Sequence, residues 1–168
     1  EILKKAAQDS GISQELFERA DERPSSSFLY TLSIGAAPAF ASYDDYLTDD
    51  KLFVFQSNTI RELAKQGPCV FIGRCADYVL RQQPGMLSVF IHAPLEQRVL
   101  RVARLYNIDE DKARARIRKT DKTRANYYNY YADGDWGRAD RYDIALNTGK
   151  LPIPIAAQLL ADAAKLVK

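Results

Sequence analysis

Three short apolar runs, set between segments with helical periodicity, constrain the fold of this chain more than any other feature. The runs are Cys69–Ile72, Leu87–Ala93 and Tyr142–Leu146. A short, continuously apolar run is typical of a strand that is buried on both faces of a parallel sheet. Alternation of such strands with helices predicts an α/β fold in which helices flank a parallel sheet.

Helical periodicity and start or stop signals place the helices around these runs. Asp109 is predicted to cap a long basic helix, and Pro94 is predicted to begin the helix before it. In that preceding helix, Leu95, Val99, Val102 and Leu105 are predicted to face inward. The predicted helices cover residues 48–66, 76–82, 94–105, 110–130 and 152–167.

Length and composition predict one soluble domain over residues 1–168. Hydrophobic residues make up 46% of the chain and charged residues 27%, which is ordinary for a globular protein. The net charge of +2 gives no whole-protein field that calls for nucleic acid or a membrane as partner. No apolar run approaches the roughly 18 residues of a membrane span. The expected partner class is therefore a small molecule, while the oligomeric state stays open.

The two cysteines favour a reduced, cytoplasmic protein. Cys69 and Cys75 lie in or beside the first apolar run, and they lack Cys-x-x-Cys spacing. No second cysteine pair or histidine cluster accompanies them, so a zinc site is disfavoured. We expect both thiols to be buried.

A Gly-Arg pair follows the first apolar run, where ligands of open α/β sheets bind. Gly73 permits a turn and the close approach of a ligand, and Arg74 offers a planar group that binds phosphate at two points. Asp77 can orient Arg74 or accept a hydrogen bond from a sugar hydroxyl. The alternative is a structural ion pair at a helix start.

The basic helix is a second candidate anion site. Between Arg98 and Arg124 there are ten Lys or Arg residues against four Asp or Glu residues. Arg118 and Arg124 each lie three residues from Asp121, so one carboxylate could hold two guanidinium groups in place. Fixed cations of this kind stabilise the charge of a transferred phosphoryl group.

Two alternatives for the basic helix remain open at this stage. A run of cations can simply be a solvated face with weak surface ion pairs. Four tyrosines between Tyr127 and Tyr131 follow the cations, and basic residues beside aromatics can bind single-stranded nucleic acid. Tyrosines at helical spacing more often pack, so nucleic acid is the less favoured partner.

Read together, these segments resemble the cytidylate kinase-like family. The order and spacing of the motifs agree with that family over nearly all of the chain. The segments that carry the resemblance are Asp21–Tyr30, Gly67–Tyr78, Val89–Glu96, Lys119–Tyr128, Trp136–Gly137 and Tyr142–Thr148.

The resemblance implies a three-layer P-loop kinase fold and transfer of the ATP γ-phosphoryl group to CMP or dCMP, with Mg²⁺. By similarity, Arg74 and Gly73 would bind the acceptor phosphate, with Asp77 near the ribose. Residues 10–48 would bind the acceptor nucleotide.

The resemblance also implies that residues 110–138 form a lid. In this lid, Arg118 and Arg124 would close over the phosphates and Asp121 would organise them. These three residues are the candidate catalytic residues.

The chain departs from the family pattern at its beginning. The family opens with a strand and a Gly-rich loop whose N–H groups bind the ATP phosphates. No Gly-x-x-x-x-Gly-Lys-Ser/Thr motif occurs in the printed sequence. We expect that strand and loop upstream of Glu1. A rival hypothesis is a non-catalytic nucleotide-binding or regulatory module that has lost the ATP site.

Overall fold

The computed structural model describes Ile2, Lys5 and residues 49–167 of the chain. Ile2 and Lys5 are helical. The predicted acceptor region, residues 10–48, lies outside the described residues. From Asp49 onward the elements are α1 (Asp49–Lys65), α2 (Ala76–Val79), β1 (Val89–His92), α3 (Leu95–Tyr106), α4 (Glu110–Tyr131), the 3-10 helix Ala139–Arg141, β2 (Ile144–Asn147) and α5 (Ile153–Ala164).

The chain divides into two compact units, which we call the first unit (residues 1–80) and the second unit (residues 81–168). The first unit contains α1 and α2, and the second contains β1, β2 and the remaining helices. None of the helices in the described part of the chain is long and apolar enough to cross a membrane.

The second unit contains the parallel sheet that the sequence predicts. β1 pairs with β2 in parallel, with Val89 opposite Ile144 and His92 opposite Asn147. The connection between them runs through α3 and α4, as a parallel pair requires. Just before the strands, the backbone N–H and the hydroxyl of Ser88 donate to one carboxylate oxygen of Asp143, at 2.8 and 2.7 Å. Asp143 N–H donates back to the Ser88 hydroxyl, which helps to fix the register.

The first apolar run does not form the predicted strand. Cys69–Ile72 has no strand assignment, and Val70 and Ile72 are 90% and 88% exposed. Among the described residues the sheet consists of β1 and β2 alone, so this run has no strand to share hydrogen bonds with. The prediction of a buried strand at 69–72 is therefore wrong, as is the expectation that Cys69 is buried.

Helix α1 buries one of its faces within the first unit. Leu52, Gln56 and Ile60 are 4%, 1% and 0% exposed, and they recur at helical spacing. Helix α1 packs against α2, whose Ala76 and Val79 are also buried.

Helices α3 and α4 form an antiparallel hairpin in the second unit. Val99 of α3 packs with Ala113 and Ile117 of α4, and all three are nearly inaccessible to solvent. Asn107 takes a left-handed conformation that ends α3, and Asp109 caps α4 by accepting a 2.8 Å hydrogen bond from Lys112 N–H. The cap prediction is confirmed.

The inward face predicted for α3 is confirmed only in part. Leu95 and Val102 pack against the hairpin core, but Leu105 is 69% exposed. Leu105 lies in the last turn of α3, where the chain already leaves the helix through Asn107. Burial of an apolar residue of α3 therefore depends on whether its position faces the α3–α4 core, and not on its apolar character alone.

Candidate functional site

The predicted turn at Gly73 is present in the first unit. Gly73 has a φ of 71°, and Ala76 N–H donates to its carbonyl at 3.2 Å, which starts α2. A Cβ at Gly73 would meet no atom of the described residues within 4 Å, so these residues leave the turn open on that side. The glycine is required by its backbone angle and not by close packing.

Two further residues of this turn are left-handed. Arg74 and Cys75 have φ values of 58° and 52°, which is uncommon for residues with a side chain. This conformation costs about 1–2 kcal/mol per residue. Backbone strain of this kind clusters at functional sites, where the surroundings hold a side chain in a required place. The sequence motif alone does not reveal this strain.

The charges of Arg74 and Asp77 both affect the pKa of the buried Cys75. Burial, together with the negative charge of Asp77, raises the pKa of the Cys75 thiol to about 12, and the positive charge of Arg74 opposes this shift. Arg74 and Asp77 are half-buried, and neither is without a partner. The structure thus brings together the three residues that the first motif predicts: Gly73, Arg74 and Asp77.

A surface depression of about 470 Å³ borders Arg74 within the first unit. Its lining includes the exposed run from Gly67 to Ile72, together with Leu63 and Gln66. The volume lies within the range of small-molecule sites. Among the described residues of this lining, Arg74 is the one cation, so an anion bound there would meet its charge.

The second group of candidate residues lies on α4, where Asp121 has an unexpected partner. Arg98 of α3 donates from both terminal guanidinium nitrogens to the two carboxylate oxygens of Asp121, each at 2.7 Å. This bond to Asp121 raises the pKa of Arg98. We expected Asp121 to hold Arg118 and Arg124. Instead, Arg98 on the neighbouring helix donates to both oxygens in a planar two-point contact, which is among the strong kinds of hydrogen-bonded pair.

Arg118 and Arg124 are exposed. In the part of the chain that the structure describes, neither makes a hydrogen bond or an ion pair. Two guanidinium groups thus flank a carboxylate that is already neutralised. This arrangement leaves a positive surface that can receive an anion.

A second two-point ion pair joins the same two helices nearer the start of α4. Arg114 donates to both carboxylate oxygens of Glu96 at 2.7 and 2.6 Å. Its acid is more exposed than that of the first pair, since the side chain of Glu96 is 69% exposed and that of Asp121 is 26% exposed. The more enclosed pair is therefore the one beside the candidate lid residues.

The tyrosines at the end of α4 pack more than they present free faces. Tyr128 is 7% exposed, and its ring lies 6.3 Å from that of Tyr142. Phe90 of β1 stacks on Tyr142 at 5.1 Å and meets the edge of Trp136 at 5.5 Å. Tyr130 is 59% exposed, although its ring lies 4.7 Å from that of Tyr131. Packing, the favoured reading of this segment, is confirmed for Tyr128.

Sequence reasoning missed Arg98 as part of the site. Arg98 is one of the basic residues that precede α4, but no spacing rule connects it to Asp121, which lies 23 positions later in the sequence. The signal that could have found it is the adjacent Val99, since an inward-facing core residue places its neighbour at the edge of the helix contact.

No group of three or more His, Cys, Asp or Glu side chains converges on a metal-binding geometry among the described residues. The candidate phosphate-binding residues of the two sequence motifs are arginines. Arg74 belongs to the first unit, and Arg118 and Arg124 belong to the second.

Comparison with known proteins gives three results. A family model described as "Cytidylate kinase-like family" matches residues 1–150. A protein named cytidylate kinase from Methanopyrus kandleri is 32% identical over 98 residues, which are 54% of this chain and 51% of that protein. A protein of the same name from Methanocaldococcus jannaschii is 29% identical over 105 residues, covering 61% of this chain and 58% of the relative. The matches thus span about half the length of these curated relatives.

The crystal structure of an uncharacterized protein from Eubacterium ventriosum is similar over a larger part of the chain. It superposes with a TM-score of 0.67 and is 26% identical in sequence. The superposition covers 98% of this chain and 89% of that protein.

Proposed function

The chain belongs to the cytidylate kinase-like family, and from this premise we propose that it transfers the γ-phosphoryl group of ATP to a nucleoside monophosphate, with CMP or dCMP as acceptor. The observation that carries the proposal is the family match over residues 1–150. The acceptor is proposed from the names of the distant, partly covered relatives. The three-layer P-loop kinase fold is part of the same proposal.

At the acceptor end, Arg74 would bind the phosphate of the monophosphate. Its left-handed backbone and the adjoining open turn at Gly73 support this role, because they present the guanidinium beside a site that a ligand can approach. Asp77 would accept a hydrogen bond from the ribose. Arginine suits this task because its planar donors match two phosphate oxygens at once.

At the transferred phosphoryl group, Arg118 and Arg124 would stabilise the developing charge. The transition state spreads negative charge over the equatorial oxygens, and positioned cations stabilise it with little reorganisation. Both residues are exposed on α4, and Asp121 between them is already paired. Asp121 would organise this segment through that pairing.

ATP and Mg²⁺ are the further components that the proposal implies. The described residues offer no side-chain group suited to hold a metal on its own. Mg²⁺ is commonly bound through substrate phosphates with one or two carboxylates, so it enters here with ATP as part of the substrate. The roles above belong to the chain's own arginines and carboxylates.

The test is a coupled ADP-release assay of the full-length protein with CMP, dCMP, UMP and AMP. We expect turnover with CMP and dCMP, and we expect Arg74→Ala to lower it at least about tenfold, as loss of a charged phosphate contact does. Arg61→Ala is the matched control, since Arg61 is an exposed arginine of the same unit that bonds to Asn58.

Equal turnover in Arg74→Ala and Arg61→Ala would exclude Arg74 from acceptor binding. Nucleotide binding without ADP release would replace the kinase with the regulatory-module hypothesis. Turnover that favours AMP or UMP would keep the kinase and overturn the acceptor.

A further inference from the structure

We infer that Arg98 is a positioning residue of the candidate lid, and this inference rests on the proposed function. By occupying both oxygens of Asp121, Arg98 leaves the two flanking arginines available to bind phosphate. Arg98 does not need to touch the substrate. It acts through Asp121.

The contact between Arg98 and Asp121 has the geometry of a fixed pair. Both oxygens accept at 2.7 Å, and the side chains are 34% and 26% exposed. Of the two two-point pairs between α3 and α4, that of Asp121 has the less exposed acid. Enclosed two-point pairs are held in one geometry more tightly than surface pairs, whose side chains keep much of their freedom.

The backbone that carries Arg98 is also well anchored. Its neighbour Val99 is 0% exposed and packs on Ala113 and Ile117 of α4. Ile117 lies one helical turn before Asp121. The ion pair therefore continues the apolar contact between α3 and α4 toward the candidate lid residues.

The positions of the two lid arginines give Arg98 a role beyond linking α3 to α4. Arg118 and Arg124 each stand three residues from Asp121, which is within reach of an ion pair along a helix. A carboxylate without its partner would attract one or both of them. Each guanidinium bound to Asp121 would then be lost to the phosphate. Arg98 prevents this capture by satisfying the carboxylate from another helix.

The experiment compares four variants of the full-length protein in the ADP-release assay, with folding checked by circular dichroism. Arg98→Met removes the partner, and Arg98→Lys keeps the charge without the two-point contact. Arg98→Met combined with Asp121→Asn removes the carboxylate that would capture the arginines. Arg114→Met is the matched control, since it breaks the other two-point pair between α3 and α4.

We expect Arg98→Met to lower kcat at least about tenfold, because small displacements of catalytic groups have effects of this order. KM for the acceptor should change little, since the acceptor phosphate is assigned to Arg74. Arg98→Lys should fall between Arg98→Met and the unsubstituted protein. The double variant should have a higher kcat than Arg98→Met, because no carboxylate is left to capture the arginines, although the organising role of Asp121 is lost. Arg114→Met should stay within about twofold.

Several results would overturn the inference while leaving the kinase intact. They are equal kcat in Arg98→Met and Arg114→Met, a loss confined to KM, or a double variant no better than Arg98→Met. If Arg98→Met does not fold, Arg98→Lys and the double variant carry the same comparison. An unsubstituted protein that turns over no nucleotide would instead overturn the proposed function, and this inference with it.

Discussion

Two of the apolar runs that the sequence offers as strands behave differently in this molecule. Val89–His92 becomes β1 and pairs with β2, whereas Cys69–Ile72 in the first unit forms no strand. Each run leads into a helix. The two runs differ in whether a neighbouring strand is present to form hydrogen bonds with them. Residues 144–147 supply hydrogen-bonding groups to β1, and no described residues do so for 69–72.

An apolar run favours strand formation, but it becomes a strand only where a second strand pairs with it. Each residue of a run has one backbone N–H and one C=O group that need hydrogen-bond partners. A strand finds these partners on a neighbouring strand and not within itself. β1 also gains a polar contact at its start, where Ser88 and Asp143 bond across 55 positions. Hydrophobicity at 69–72 is not matched by any such contact in the described residues.

The largest expected effect concerns the two thiols, and it tests whether the 69–72 run is open. Cys69 is exposed, and Cys75 is buried with a pKa of about 12. At pH 8 only about one Cys75 thiol in 10⁴ would be ionised, and the thiolate is the reactive form. A disulfide reagent should therefore modify one thiol per native chain rapidly and the second only after unfolding.

Cys69→Ser is the control for this measurement, and it should remove the rapid phase. A rapid phase that survives in Cys69→Ser, or two slowly reacting thiols in the native protein, would contradict the prediction. Cys69 in the run would then not be exposed, or Cys75 at the helix start would not be buried.

The next effect compares one substitution at two sites. Val99→Ala should destabilise the protein by about 2 kcal/mol, because it empties space at a fully buried position of the α3–α4 hairpin. Val70→Ala should cost less than about 0.5 kcal/mol, because Val70 is 90% exposed. Urea unfolding followed by circular dichroism measures both. A similar cost at the two sites would mean that the 69–72 run is covered.

The smallest effect concerns the contact that precedes the paired strands. Asp143→Asn should lower stability by about 1 kcal/mol at pH 7, since hydrogen bonds to a charged group are worth about 1.5–3 kcal/mol and exposure to solvent reduces this. The hydrogen bonds from Ser88 lower the pKa of Asp143 from its ordinary 3.8. The stabilisation is thus complete above about pH 3.8 and is lost as the pH falls through the lower, folded-state pKa.

Unfolding curves of both proteins between pH 2.5 and pH 7, spanning about one unit below the ordinary pKa, measure this dependence. A difference between them that grows as the pH falls would have the wrong sign for the proposed contact.

Local signals predicted most of the second unit. Asp109, followed by a long polar segment, predicted the start of α4 to the residue, because a cap is an interaction between near neighbours. The parallel pair was predicted from two apolar runs separated by helices. The turn at Gly73 was likewise predicted from the glycine and the arginine beside it. These features depend on interactions within a few residues.

Contacts between distant residues were not predictable in the same way. The partner of Asp121 was sought at three residues' distance and is Arg98, 23 positions away on another helix. The left-handed backbone of Arg74 and Cys75 could not be anticipated either, since neither residue type favours it.

By itself, the sequence determined where the described helices begin, which segments could become strands, and which residue types could bind phosphate. It did not determine every helix end, since the helices predicted over 76–82 and 152–167 end at Val79 and Ala164. Only the tertiary structure decided which apolar run finds a partner strand, which cysteine is buried, and which arginine neutralises Asp121. The physical reason is the range of the interactions. Helix propensity and capping act over a few residues, whereas strand pairing, burial and ion pairs between helices depend on where the packed chain brings distant residues together.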